Sequence, residues 1–569
     1  MKRVRRKRER QFKGAKSATR QALFLLKACD LDWLWKFCAL ISCHDLFGPT
    51  LAEGANALYV NFAKTRALVD LVLKSGARDD VDKILHMEEV RDLLNLLVDV
   101  QNDPEVFKSA EKAKGTPAAA FEFHRSMCRL GSNQTADQEG VFWNAAGRLI
   151  AKWELLPLEN QSLLPSRERQ RVLEVAHRIP EVLGAEISEL SLVCLAIFQV
   201  YRDAYANLSR TLPVIPHEAF CSQYEKRQAL DQLMTALEAG GFSDLLVINP
   251  RRLREMLRDK EGLVDSYLSL FSRSVEELRS LQKDYSVGQS PHYSRDLSVL
   301  DRFPLVRRAD GTYIVPNVRF LLKSFVPNVE FTLVELLGDN FWHANGATQE
   351  AYLLKLLSAR LPGYTLVEER AYGKQELRGP DVTIVDAQAE GLILVESKGK
   401  RIGARTRFVM SDDLLDDNLK VAYSALQGLP VKFEALLSGI PEYADAQDAL
   451  DSARSNSPIC VVVMNDSVMM MSELIRMLIA MNPEHQLQGF PFQFCIVGIG
   501  AFELAVEVAS RNGSSLYRLL SQHWERSAEI DPGRGSADLF GGFWPDTEPA
   551  FGAELLRARL KSRLGDLVA

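Results

Sequence analysis

An aspartate that opens one β-rich run and a glutamate near the end of the next can meet only if the chain between them turns back tightly. Residues 379–398 meet that condition. Gly379-Pro380-Asp381 leads into Val382-Thr383-Ile384-Val385-Asp386, the stretch 387–390 follows, and Gly391-Leu392-Ile393-Leu394-Val395-Glu396-Ser397-Lys398 completes it. A four-residue loop at 387–390 makes an antiparallel hairpin in which Asp386 faces Gly391 and paired residue numbers sum to 777. Asp381 then stands opposite Glu396 on one face, with Cβ atoms about 5 Å apart. Lys398, two residues past Glu396, points to the same face roughly 6–7 Å further on.

Like charges opposite each other destabilise a sheet unless something compensates them. A divalent cation bridging both is the expected compensation, and hard oxygen ligands favour Mg²⁺ or Mn²⁺. Such a metal polarises a phosphoryl oxygen and lowers the pKa of a bound water. The neighbouring ammonium orients that water or stabilises the transition state. The chemistry is metal-assisted phosphodiester hydrolysis. Lys398 is the only lysine in the chain with an acid two positions before it. The bland alternative is an exposed hairpin whose acids and lysines pair loosely in water. Against it stand Leu392–Val395, four consecutive apolar residues that imply a strand buried on both faces.

The elements that must position these groups begin near residue 346. An amphipathic helix over 348–361 ends at Pro362-Gly363. Expected strands cover 364–370, 381–386, 391–398, 458–464 and 492–499, with helices over 413–427, 469–481 and 502–510. The order α-β-β-β-α-β-α-β-α describes a mixed sheet with helices on its faces.

Pro380-Asp381 followed by Glu396-Ser397-Lys398 in this element order resembles the PD-(D/E)xK nuclease superfamily, the fold of many restriction endonucleases and junction resolvases. The resemblance covers roughly residues 346–510, under a third of the chain. It implies that Asp381, Glu396 and the Ser397 carbonyl bind Mg²⁺ (or Mn²⁺), that Lys398 acts on the attacking water, and that DNA is the default substrate. Many members add a glutamate from the first core helix, and Gly346-Ala347-Thr348-Gln349-Glu350-Ala351-Tyr352 resembles that segment. Glu350 shares a helical face with Leu354, Leu357 and Leu361. Metal ligation is one reason for a carboxylate there, and a dipole contact at the helix start is the other. Lys420, on the helix after the hairpin, stands where relatives often carry a polar or basic residue.

Lys374 and Arg378 before the hairpin, and Lys400, Arg401, Arg405 and Arg407 after it, fit either a phosphate-gripping rim or a solvated loop. Asp412, Asp413, Asp416 and Asp417 suit the N-terminus of the next helix.

The chain has 569 residues, enough for three or four domains. With 47% hydrophobic and 25% charged residues it is ordinary globular material, neither disordered nor collagen-like. No apolar run approaches the ~20 residues of a membrane span, and no apolar stretch follows the basic start as a secretory signal requires. Residues 1–20 carry ten Lys/Arg and only Glu9, a charge of +9. The net charge of −6 therefore leaves −15 on the rest. A basic arm suits contact with nucleic acid or an anionic membrane, a solvated terminus, or a mitochondrial transit peptide. The eight cysteines lack a C-x-x-C, and Cys38-x4-Cys43-His44 has no second ligand pair, so zinc is not expected. Cys194, Cys460 and Cys495 sit in apolar runs as small hydrophobes. The pattern fits a reduced, cytoplasmic protein.

The expected fold class is α+β and multidomain. A basic arm (1–20) precedes a mostly helical region (21–302), a hairpin adaptor turning on Asp310-Gly311 (303–345), the restriction-endonuclease-like α/β core with its mixed central sheet (346–512), and a tail with a basic helix (513–569). No chemistry is legible in the helical half, which suits substrate or protein-partner recognition. Gly498-Ile499-Gly500 imitates a dinucleotide-binding turn, but Glu503 stands where the third glycine belongs. Met464 and Met469–Met471 suit core packing better than a soft-metal patch. The leading expectation is a Mg²⁺-dependent nuclease acting on DNA, with bacterial anti-phage or restriction-type defence as an extension of the resemblance. The alternative is a non-catalytic helical scaffold whose nuclease-like fold only binds nucleic acid or protein.

Overall fold

The computed structural model describes residues 18–51, 62–101, 139–209, 235, 244–258, 262–285, 299–373, 376–399, 412–465, 475–476, 479, 491–529 and 550–564. The basic arm up to residue 17, and most of the expected helix at 469–481, lie outside these residues. Among the described residues the chain is mostly helical, with mixed sheets. No described helix is long and apolar enough to cross a membrane.

The N-terminal half is not helical throughout. Strands β1 (Val247–Ile248), β2 (Ser272–Ser274), β3 (Leu305–Arg307) and β4 (Tyr313–Ile314) form a sheet in the order β1-β4-β3-β2. β3 and β4 are the expected Asp-Gly hairpin. Asp310 Oδ1 accepts from Thr312 N at 2.9 Å, and Gly311 takes a left-handed φ of 79°. The hairpin is flanked on both edges by strands from the helical half, so it sits inside that half's architecture. Periodicity cannot reveal β1 and β2, because two or three residues hold too little pattern.

A five-stranded sheet follows, from β5 (Thr365–Glu368), β8 (Val382–Asp386), β9 (Gly391–Lys398), β10 (Ile459–Met464) and β11 (Gln493–Gly498). The two-stranded β6 (Ala371–Tyr372) and β7 (Leu377–Arg378) pair separately. The order is β11-β10-β9-β8-β5. β5, β8 and β9 run as an antiparallel meander, and β9, β10 and β11 are parallel. Alternation divides β9 between two layers. Ile393 and Val395 join the core beneath the helices Asp339–Arg360 and Ile499–Asn512. Leu392 and Leu394 join a second core beneath the helix Asp412–Leu437. Seven of the eight β9 residues are buried, as the apolar run requires.

The C-terminal helix Phe551–Leu564 packs along the helix Glu139–Ile150. Gly552 abuts Asn144 and Gly147, and a Cβ on either glycine would meet backbone. Arg559 bonds Glu154 at 2.9 Å and Glu186 at 3.3 Å, so this basic helix is tied into the N-terminal half rather than held as a tail. Glu503 is fully buried and accepts from Asn144 Nδ2, from Arg148 at 2.7 Å and from the Tyr352 hydroxyl at 2.7 Å. The residue that spoils the dinucleotide motif is thus a hub joining both halves. One apolar core runs from Ala18 to Leu560. Cys194, Cys460, Cys495 and Met464 are buried within apolar cores or against them.

Candidate active site

The hairpin adopts the register read from the sequence: Val382 pairs Val395 and Asp386 pairs Gly391. Local chemistry fixes both ends. A side chain at Gly379 would run into the Tyr443 hydroxyl, so only glycine fits before Pro380. At the turn, Asp386 Oδ2 accepts from Ser515 Oγ at 2.7 Å and from Tyr517 N at 3.1 Å, anchoring the end of β8. Asp381 lies one residue before β8. Its Oδ2 accepts from Ser397 N at 2.6 Å, so the aspartate grips the strand that carries Glu396.

Glu396 and Lys398 face the layer of the helix Asp412–Leu437, together with Leu392 and Leu394. Lys398 Nζ lies 2.9 Å from Glu396 Oε1. A second ammonium, Lys432 of that helix, lies 2.9 Å from Oε1 and 2.8 Å from Oε2. Two lysines supply the compensating charge that the sequence assigned to a divalent cation. Lys420 is exposed and lines a cavity of about 370 Å³ with Glu396, Lys398 and Lys432.

Glu350 enters from the opposite layer. Its helix starts at Asp339, nine residues before the expected start. Glu350 is therefore mid-helix, and the dipole reading falls, because that effect fades after the first turn. Gly346, one turn earlier, touches the end of β9: a Cβ on Gly399 would sit 2.7 Å from Gly346 Cα. Asn345 Nδ2 donates to Gly399 O at 2.7 Å. This contact sets Glu350 at a cavity of about 250 Å³ shared with Ser397 and Lys398. Arg167 lines the same cavity, so the helical half reaches the site. Arg167 and Arg378 lie 3.7 and 3.0 Å from Glu369 Oε2, and Glu369 N bonds Asp381 O at 3.2 Å.

The electrostatics report crowded negative charge. Burial, then the Glu396 charge, pushes the Asp381 carboxyl up to about 7. Burial, then Asp381 and Glu369, pushes Glu350 up to about 9. Burial also raises Glu369, against the pull of Arg167 and Lys432. Burial opposes the Lys398 charge, yet Glu396, Asp381 and Glu350 outweigh it and hold that ammonium above its ordinary range. A donor set of carboxylates alone would suit a hard divalent cation. Asp381 and Glu396 are the residues to hold it. Among the described residues no three His, Cys, Asp or Glu side chains form a ready-made cage. A cation at Glu396 must displace lysine hydrogen bonds.

Asp381, Glu396, Ser397 and Lys398 thus lie together on the hairpin, while Glu350 lines a neighbouring cavity with Ser397 and Lys398. Ser397 binds Asp381 through its N–H, and its buried Oγ has no hydrogen-bond partner among the described residues. Arg378 is committed to Glu369. Lys374, Lys400, Arg401, Arg405 and Arg407 lie outside the described residues. The sequence reading missed Lys432, Glu369 and Arg167. For Glu369 the signal was present, since it closes the run that precedes the hairpin. Comparison with protein-family models, with curated proteins and with solved structures returns no match to this chain.

Proposed function

We propose that this chain is a metal-dependent nuclease of the PD-(D/E)xK type, hydrolysing phosphodiester bonds, with DNA as its substrate. The observation that carries this reading is the convergence of Asp381 and Glu396 on paired strands, with Lys398 bonded to Glu396 on the same face. The mixed five-stranded sheet with helices between its strands supports the reading, since the resemblance rests on an α-β-β-β-α-β order.

Asp381 and Glu396 would hold the cation, which supplies charge at the phosphoryl oxygens and an acidified water. Asp381 is kept in place by the Ser397 N–H. Lys398, whose Nζ lies 2.9 Å from Glu396 Oε1, would serve as a fixed cation that stabilises developing charge and holds water. Lys432 and Lys420 line the approach and suit phosphate oxygens.

The two lysines on Glu396 also support a second reading, in which the site is neutralised without metal and the fold only binds. The separating experiment is incubation of the purified protein with plasmid and with oligonucleotides in Mg²⁺, Mn²⁺ or EDTA. Cleavage in metal, none in EDTA, and a loss of about 100-fold or more in turnover for Lys398→Ala with metal affinity retained support the nuclease. Asp381→Ala should lose both metal affinity and turnover. Binding without cleavage in every metal leaves the scaffold.

A further inference from the structure

Two cavities meet at Lys398, and their linings differ. The larger is lined by Lys398, Lys420 and Lys432 around Glu396, with small residues of one helix, and its three cations against one carboxylate suit a sugar-phosphate backbone. The smaller adds an aromatic residue: Trp342 lines it with His343, the cations Arg167 and Lys398, and the carboxylates Glu168 and Glu350.

We infer that the smaller cavity seats the nucleotide beside the cleaved phosphate, its base on Trp342 and its phosphate between Arg167 and Lys398, so that the substrate enters as a single strand or an unpaired end. This rests on the nuclease reading for the position of the cleaved bond.

Four observations carry it. The cavity, about 250 Å³, has room for a single base, with the rest of the nucleotide at its mouth. Its cations beside an aromatic face are the combination that holds unpaired bases. A base stacked in a duplex cannot reach an indole inside a cavity unless it leaves the stack. The helix at Trp342 is anchored, since its neighbour Phe341 is fully buried and stacks on Trp153 with ring centroids 5.1 Å apart. Arg167, by contrast, is loosely held, 3.7 Å from Glu369 and 4.0 Å from Glu168, with its side chain 39% exposed. Glu168 is bonded more closely by Arg171, at 2.6 Å, so Arg167 can turn to a phosphate.

The test is fluorescence anisotropy of the full-length protein, in EDTA, with a short fluorescein-labelled single strand and with the blunt duplex of the same sequence. The single strand should bind at least 10-fold tighter. Trp342→Leu and Arg167→Gln should each weaken it about 10-fold and leave duplex binding unchanged, while Trp342→Phe retains it. Equal affinity for the two substrates, or single-strand binding indifferent to Trp342→Leu and Arg167→Gln, overturns the proposal. Circular dichroism confirms that each variant is folded, and Arg167→Gln carries the test should Trp342→Leu not fold. If oligonucleotide cleavage depends on Lys398 but single-strand binding ignores Trp342, the seat is wrong and the nuclease stands. If Trp342 governs binding but no metal supports cleavage, the nuclease reading is wrong and the seat stands.

Discussion

Lys432 straddles the Glu396 carboxylate, 2.9 Å from one oxygen and 2.8 Å from the other, from a helix that the hairpin's own sequence does not contain. With Lys398 on the same carboxylate, the site holds its own counter-charge.

That arrangement makes metal and lysine competitors. Lys432→Gln should raise Mn²⁺ affinity several-fold, measured by isothermal titration. It should also lower the melting temperature of the metal-free protein, because the nearly buried Glu396 carboxylate then keeps only Lys398 as a counter-charge. Saturating Mn²⁺ should restore the melting temperature by mass action. Unchanged Mn²⁺ affinity would remove the competition.

Gly399 sets the distance between β9 and the helix that carries Glu350. A methyl group there meets Gly346 backbone at 2.7 and 2.8 Å, and backbone cannot step aside as a side chain can. Gly399→Ala should cost about 1–3 kcal/mol in urea denaturation and weaken metal binding. Gly346→Ala is the control: its Cβ meets nothing within 4 Å, and it should change both far less.

Glu503→Ala should cost about 3–5 kcal/mol, because the largely buried Arg148 loses the carboxylate it is bonded to. Its partners Asn144 and Arg148 belong to the N-terminal half and Tyr352 to the helix behind the sheet. A chemical-denaturation midpoint equal to wild type would show that the hub holds nothing together.

His523 is buried, and burial together with the Arg476 charge depresses its pKa to about 4. The unfolded chain takes up this proton near pH 6.5, the folded chain only near 4. Its contribution is therefore fully present above about 6.5 and is lost as pH falls toward 4, by roughly 3 kcal/mol in all. Asp381 and Glu350, whose folded pKa values are raised, act with the opposite sign: what they contribute is present at low pH and is lost as pH rises toward about 7 and 9. The difference between wild type and His523→Gln in denaturation runs at pH 7.5 and 5 isolates the histidine. A difference that does not change with pH would refute its neutral burial.

The hairpin was legible in the sequence because its information is local. A four-residue loop and two runs of β-rich residues leave one register that buries Leu392–Val395, and that register alone puts Asp381 opposite Glu396. The core strands were legible for the same reason, as apolar runs too short for helices. Boundaries fared worse. The helix carrying Glu350 begins well before its apolar stripe, because tertiary burial of Phe341 and Ala344 extends it where periodicity is weak.

The sequence by itself determined the strand pairing, the two central carboxylates and the lysine beside them, since each depends on residues within one short stretch of chain. Tertiary structure alone decided that Lys432 neutralises Glu396, that Arg167 of the helical half enters the site, and that Glu503 binds the halves together. Those contacts join residues tens to hundreds of positions apart. Their side chains carry no local mark, because a lysine on a helix face looks the same in sequence whether it meets water or a buried carboxylate.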